Sequence, residues 1–349
     1  MKKIAFRVDG GPDIGMGHIM RCLALAQGFP DNIDIIFIIK ESKSVKKIIN
    51  NYSFRTISID KDMEYDKKEI NLLKRVIRDN NIDILISDSY KIDKNYLDQL
   101  KGEVEKLVSI HDFVPFDFPS DIVINGNIYA PDLNYNSTDG DTMFLLGTDY
   151  TLLRKEFWNL PNRNVKKEVE NILITVGGGD LLNLTPKIVK ALHLLEKDIN
   201  EVDNININKL AVNIIIGSSF NNIEEIIKEV EKSTIEIKLN FNIKRMSQIM
   251  INSDLAISAG GSTLYELAMT GTPTIALLQA DNQKLVAEAM EREGIIKNLG
   301  FGNQITEYII NKELQELIAN YHERRLMFRN GKDTINKRSI LNCVSNILA

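Results

Sequence analysis

Asn252-Ser253-Asp254-Leu255-Ala256-Ile257-Ser258-Ala259-Gly260-Gly261-Ser262-Thr263-Leu264-Tyr265-Glu266 reads as a short apolar strand that runs through two glycines and two hydroxyl residues into a helix. In an open parallel sheet, such a strand-to-helix turn lies at the carboxyl end of the strand, where ligands bind. Gly260 and Gly261 leave room for a ligand, while the first N–H groups of the helix and the hydroxyls of Ser262 and Thr263 can hold a diphosphate. Glu266 lies one turn into the helix. Its carboxylate can accept from two ribose hydroxyls, or it can close a capping box with Ser262 or Thr263.

Outward from this turn, strand-like and helix-like runs alternate. Towards the C-terminus follow Thr272–Leu277 (strand), Asn282–Glu293 (helix) and a mostly helical segment from Ile309 to Ala349. Towards the N-terminus lie strands at Asn171–Val176, Leu210–Ile216 and Thr234–Leu239, separated by helices at Leu181–Leu195, Ile223–Val230 and Lys244–Ile251. The first half repeats the pattern. Strands are expected at Ile4–Val8, Ile33–Ile39, Arg55–Ile59, Ile82–Ser87, Val104–Ile110, Asp121–Ile124 and Met143–Leu146, and helices at His18–Gln27, Ser42–Asn50 and Asp66–Asp79. Alternation of this kind means βαβ units and parallel sheets. It breaks at Leu160-Pro161-Asn162-Arg163-Asn164, a polar stretch with a proline, and stays poor in apolar residues to Glu170. The expected organisation is therefore two Rossmann-like α/β domains, residues 1–160 and 165–330, with their sheets facing a central cleft. A C-terminal helix from 331 to 349 would be free to cross back to the first domain.

The composition agrees with such a protein and excludes others. At 349 residues, 44% hydrophobic and 26% charged, the chain is neither collagen-like nor wholly disordered. No apolar run approaches the roughly 20 residues of a membrane span, and no apolar region follows the basic start Met1-Lys2-Lys3. Two cysteines, Cys22 and Cys343, at opposite ends form no disulfide framework, which points to a reducing cytoplasm. The net charge of −5 argues against nucleic acid as a partner.

Two further glycine-rich turns are candidates for chemistry. Thr175-Val176-Gly177-Gly178-Gly179-Asp180 can approach a phosphate through backbone N–H groups, or it is a plain tight turn. Asp9-Gly10-Gly11-Pro12-Asp13-Ile14-Gly15-Met16-Gly17-His18 follows the first strand. As a dinucleotide fingerprint it fails at Met20, which stands where a third glycine should be, although Glu41 could imitate the ribose-binding acid. The better reading has Gly15 and Gly17 admit a ligand while His18, at the helix start, acts as general base on water. Asp281-Asn282-Gln283 opens another helix. Its amides suit sugar hydroxyls and N-acetyl groups, or it simply caps that helix.

Together these motifs resemble the UDP-sugar hydrolases of pseudaminic (nonulosonic) acid biosynthesis, relatives of the MurG-type glycosyltransferases with a GT-B fold. The resemblance rests on Arg7-x-Asp9, on Ile14-Gly15-Met16-Gly17-His18-Ile19-Met20-Arg21-Cys22 and on Asp88-Ser89-Tyr90. Further matches are Gly147-Thr148-Asp149-Tyr150-Thr151-Leu152-Leu153-Arg154, Gly177-Gly178-Gly179-Asp180, Ala259-Gly260-Gly261-Ser262-Thr263-x-x-Glu266 and Asp281-Asn282-Gln283, in order from residue 4 to about 295.

The resemblance implies hydrolysis of UDP-2,4-diacetamido-2,4,6-trideoxy-β-L-altropyranose to free sugar and UDP, with inversion and without metal or other cofactor. It implies His18 as the residue that activates water. Gly15, Gly17, Arg21, Asp88, Tyr90, Tyr150, Arg154, Asn282 and Gln283 would bind the sugar side. Gly177, Gly178, Gly179, Met246, Gly260, Gly261, Ser262, Thr263 and Glu266 would bind UDP, with the uracil near Phe241–Met246. A monomer or weak dimer without stable membrane insertion is expected. Ser89 in the Asp-x-Tyr motif and the loop His111–Pro119 depart from the family pattern, and His111 reads either as a group near the ligand or as a strand-end residue. A UDP-sugar glycosyltransferase of MurG or spore-coat type, a non-catalytic nucleotide-sugar binder and an NAD-dependent oxidoreductase are the competing readings.

Overall fold

The computed structural model describes residues 2–11, 15–198 and 209–349; Ile14 of the first motif lies outside them. The chain divides into two compact units, Met1–Trp158 with Asn336–Ala349, and Asn159–Ile335.

The first unit runs β1 (Lys3–Val8), α1 (Gly17–Ala26), β2 (Asp34–Lys40), α2 (Lys43–Asn51), β3 (Arg55–Ile59), α3 (Lys67–Asn80), β4 (Ile84–Asp88), α4 (Lys94–Lys101), β5 (Lys106–Ile110), β6 (Ile122–Asn125) and β7 (Met143–Leu146). The seven strands form one sheet in the order β3-β2-β1-β4-β5-β6-β7, with every pairing parallel. Side chains of a strand alternate between faces, and here each face has its own core. Ile4, Phe6, Val8, Phe37, Ile84 and Ile86 join one cluster, while Ala5, Ile36, Ile38 and Leu85 join the other. Asp66 caps α3 by accepting from the N–H groups of Lys68 and Glu69, and Asn81 ends it at φ 52°. The helix α4 escapes the periodicity because it shows only Tyr96, Leu97 and Leu100 to the core.

The second unit runs β8 (Asn171–Thr175), α5 (Leu184–Asp198), β9 (Ala211–Ile216), α6 (Ile223–Val230), β10 (Glu236–Phe241), α7 (Met246–Asn252), β11 (Leu255–Ala259), α8 (Thr263–Thr270), β12 (Thr274–Leu278), α9 (Lys284–Arg292), β13 (Ile296–Phe301), α10 (Glu307–Ala319) and α11 (Tyr321–Thr334). Its six strands are also all parallel, in the order β10-β9-β8-β11-β12-β13. The edge strand β13 was not expected, since Lys297, Asn298 and Gly300 interrupt its apolar run. The helix expected from Leu181 starts at Leu184, because the Asp180 carboxylate accepts from the N–H groups of Leu184 at 2.6 Å and Thr185 at 2.9 Å. Residues of the expected linker are tied down in this unit. Arg163 donates to the carbonyl of Ser253 at 2.8 Å, and the buried Arg324 donates to that of Lys167 at 2.6 Å.

The chain's last helix, α12 (Ser339–Leu348), is separate from α11 and belongs to the first unit. Its Ile340, Cys343, Val344 and Ile347 complete the core on the α1 face. Ser339 donates to the Thr151 carbonyl at 2.6 Å, and Asn342 to that of Asp149 at 3.0 Å. The loop that receives α12 is held in turn against Gly126, whose carbonyl accepts from the Thr151 hydroxyl at 2.7 Å. No helix among the described residues is long and apolar enough to cross a membrane.

A Cβ at Gly126 would come within 2.5 Å of Thr151 Cα and of the Tyr150 carbonyl oxygen, backbone atoms that cannot swing away. Gly126→Ala is therefore expected to destabilise the first unit by about 1–3 kcal/mol, read as a lower urea midpoint for its unfolding transition.

Candidate functional site

In the first sheet the strand order turns around between β1 and β4, and ligands of open α/β sheets bind outside the carboxyl ends at such a point. There the loop after β1 closes on itself. Gly11 and Gly15 exchange two backbone hydrogen bonds of 3.2 and 2.8 Å, and Gly15 takes φ +85°, which a side chain would resist. Gly15 and Gly17 are exposed, and α1 begins at Gly17.

His18 follows, 8% exposed, with Nδ1 2.6 Å from Asp88 Oδ1 at the end of β4. Burial opposes ionisation of Asp88, but Arg21 and His18 hold its carboxyl well below the usual range. An ionised carboxylate has no proton to give, so His18 Nδ1 carries the hydrogen and donates it. The other ring nitrogen, Nε2, is then the one able to accept a proton.

Arg21, one turn along α1, joins two carboxylates. Its Nε and Nη2 donate to Asp88 Oδ2 and Oδ1 at 2.7 and 2.6 Å, and its Nη1 reaches both oxygens of Asp112, at 2.7 and 2.8 Å. The Cys22 thiol adds a weak hydrogen bond to Asp88 Oδ2 at 3.3 Å, and burial, then Asp88, pushes that thiol's pKa up. Asp112 accepts further from Asn127 Nδ2 at 2.8 Å and from the Tyr90 phenol. The Tyr90 ring is 45% exposed and meets the His18 ring edge-on, centroids 4.6 Å apart.

This geometry revises several expectations. Asp88, expected on the sugar, is 0% exposed with both oxygens taken, so it holds His18 rather than a ligand. Arg21 keeps a side chain 20% exposed but commits its donors to Asp88 and Asp112. Tyr150 packs on the core beside α12, and Arg154 pairs with Glu156 at 3.1 Å and lies over the Phe157 ring. Of the two readings of His111, the structure shows a buried ring among Tyr90, Phe116 and Phe118, with burial lowering its pKa despite Asp112. Asp112 and Asn127 were missed. The only signals for them are an Asp after a strand and Asn125-Gly126-Asn127 after the next one.

Arg7 and Asp9 form a second buried group with Glu69. Arg7 donates to Asp9 at 2.7 Å and to Glu69 at 2.8 and 3.0 Å, while Tyr65 and Tyr96 donate to Asp9 and Glu69. Burial, then Asp9, pushes the Tyr65 phenol up to about 12.

In the second unit, β8, β11 and β12 are neighbours, so the loops that follow them lie side by side. Two glutamines bind these loops together. Gln279 donates from Nε2 to the Val176 carbonyl at 2.7 Å, and Gln283 Oε1 accepts from the N–H groups of Gln279 and Gly260 at 2.9 and 3.2 Å. Gln283, expected on the sugar, thus spends its oxygen inside the protein, and Gln279 was missed. Gly177, Gly178 and Gly261 face open space, with Gly177 at φ +96°. Gly179 lies in ordinary contact with Ser219, and Gly260 is wedged against Leu278 and Gln283.

Ser262 makes no side-chain capping bond to α8, so the capping box through Ser262 is not formed. The first N–H groups of α8 remain at the loop, as at any helix start. Thr263 opens α8, and Glu266 sits buried in its first turn. Asn282 is exposed in a 3-10 turn, Asp281–Gln283, and Met246 begins α7, buried. Among the described residues no group of three or more His, Cys, Asp or Glu is arranged to hold a metal ion.

Two outcomes follow from these clusters. The carboxyls of Asp88 and Asp112 sit lower when folded than when unfolded, against the opposing effect of burial, chiefly through Arg21. Their contribution is complete above the unfolded value of 3.8 and is lost as pH falls through and below it. The urea midpoint of the first unit is expected to hold down to about pH 4 and to drop steeply from there to about pH 2, and denaturation curves across that range test it. In the second unit a Cβ on Gly217 would stand 2.6 Å from the Gly177 carbonyl oxygen and closer still to that of Gly178. Gly217→Ala is expected to lower the urea midpoint of the second unit by an amount equivalent to about 1–3 kcal/mol, because the glycine turn must move.

Comparison with known proteins fits this architecture. A protein of Methanocaldococcus jannaschii named Uncharacterized protein MJ1062 is 29% identical over 301 residues, 81% of this chain; the match spans 57% of that relative's length. The Spore coat polysaccharide biosynthesis protein SpsG of Bacillus subtilis is 25% identical over 336 residues, 95% of this chain and 94% of its own. The UDP-2,4-diacetamido-2,4,6-trideoxy-beta-L-altropyranose hydrolase of Campylobacter jejuni is 26% identical over 298 residues, 84% of this chain and 97% of its own, in line with the resemblance read from the motifs. The crystal structure of Acinetobacter baumannii MurG superposes with a TM-score of 0.73 at 14% identity, over 100% of this chain and 99% of that one. Residues 171–335 match the glycosyltransferase family 28 C-terminal domain, and the chain as a whole has the GT-B fold.

Proposed function

We propose that the protein hydrolyses a UDP-linked 2,4-diacetamido-2,4,6-trideoxyhexose at its anomeric carbon, in the making of a nonulosonic acid such as pseudaminic acid. The observation that carries this reading is the His18–Asp88 pair, with Nδ1 anchored at 2.6 Å and Nε2 left as the proton acceptor. In the proposed reaction His18 Nε2 takes a proton from water as the water oxygen attacks C1. The bond from C1 to the UDP oxygen breaks, and UDP leaves with the bonding pair. Attack opposite the leaving group inverts the anomeric centre.

The N–H groups at Gly261, Ser262 and Thr263 would stabilise the charge growing on the diphosphate, as oriented donors do at little reorganisation cost. Glu266 would receive the ribose, the turn Gly177–Gly179 would line the nucleotide, and the uracil would lie near Met246. Tyr90 and Asn282 would touch the sugar. The similarity to a protein named as such a hydrolase over 84% of the chain supports the substrate class. No metal is assigned a step.

A transferase using the same UDP site is the second reading, favoured by the nearly full-length match to the spore-coat protein. The two separate in one experiment: the UDP-sugar is incubated with the protein, EDTA and no acceptor, and anomeric products are followed by NMR. Hydrolysis predicts UDP and the inverted free sugar. Unchanged substrate overturns it. Asp88→Asn is expected to lower kcat by about 100-fold or more, since an amide can hold His18 in the wrong tautomer, and His18→Ala by at least as much. Steady-state UDP release measures both.

A further inference from the structure

Tyr90 is the most exposed member of the His18 cluster, and its phenol has one proton to give. That proton goes to Asp112, which is ionised: burial opposes this, but Arg21 and then Tyr90 hold the carboxyl below its ordinary value. Asp112 in turn cannot turn away. Arg21 Nη1 grips both its oxygens at 2.7 and 2.8 Å, Asn127 donates to Oδ1 at 2.8 Å, and Tyr129 holds its backbone carbonyl at 3.0 Å. The Tyr90 ring is flanked by His18, His111 and Phe113, with centroids 4.6, 6.0 and 5.6 Å away. Both the ring and the hydroxyl rotor are therefore fixed.

We infer that Asp112 is a positioning residue: by taking the only proton of the half-exposed Tyr90, it leaves the phenol oxygen a hydrogen-bond acceptor, on a ring that packs edge-on against His18. Such an oxygen selects a sugar that presents an N–H or O–H donor there, as an acetamido group does, and disfavours one that presents a bare carbonyl. A phenol free to rotate would satisfy either. The inference rests on the hydrolase reading above and adds to it a residue and a direction of hydrogen bonding. It also agrees with a Tyr90 that stays neutral: burial, then Asp112, keeps its pKa far above the ordinary value.

The test is a double-mutant cycle of Asp112→Asn and Tyr90→Phe, read as kcat/KM for UDP-2,4-diacetamido-2,4,6-trideoxy-β-L-altropyranose. Each single change is expected to cost about tenfold or more, and the double variant should fall within about twofold of the slower single, because both remove one interaction. The affinity for UDP alone should stay within about twofold of the parent. Asp112→Glu, which keeps the charge beside Arg21 but displaces the oxygen, replaces Asp112→Asn if the amide does not fold. Losses that multiply, a Tyr90→Phe variant as active as the parent, or UDP affinity that falls in step with activity each overturn the inference. A parent protein that releases no UDP overturns the hydrolase reading, and the inference falls with it. An active parent with an additive cycle overturns the inference alone.

Discussion

One guanidinium, that of Arg21, stands between two buried carboxylates that repel each other. Asp88 by itself raises the pKa of Asp112, and burial works against the ionised form of both. With Arg21 in place, both remain ionised, and each then fixes an aromatic ring, Asp88 the imidazole of His18 and Asp112 the phenol of Tyr90. Buried ion pairs of this kind add little net stability, yet removing one partner leaves a charge stranded. Their value here is geometric. Asp88 at the end of β4, Asp112 just beyond β5 and Arg21 of α1 are locked together by four hydrogen bonds.

The second unit reaches its order differently. Its candidate anion site uses backbone N–H groups and glycines, and the rigid parts are two neutral amides, Gln279 and Gln283, that stitch neighbouring loops. Neutral donors at a helix start can attract a diphosphate without a cationic surface. A chain with a net charge of −5 can therefore be suited to an anionic ligand.

Much of this was legible in the sequence. Short apolar runs marked the buried strands β1, β2, β8 and β11, and the glycines marked the turns that follow β8 and β11. His18 stood out because glycines precede it at a helix start. The roles of the polar residues around it were not legible. Asp88 and Arg21 belong to matched motifs and were taken for ligand contacts. Only the tertiary structure shows that they face each other across 67 residues of chain and bind one another through two hydrogen bonds. Asp112 lay in a loop that departs from the family pattern, and Gln279 in no motif at all. Strand β13 was hidden because an edge strand tolerates the polar residues and glycine that mask its period.

The placement of α12 has a consequence for the order of events on the ribosome. The first unit begins with β1 but closes its core with Ile340, Cys343, Val344 and Ile347, so the whole second unit is spliced into it. All of the second unit's strands and helices emerge before the piece that covers the α1 face of the first sheet. The domain synthesised first is thus the domain completed last, and until α12 emerges the part of its core that α12 covers lies open beside α1.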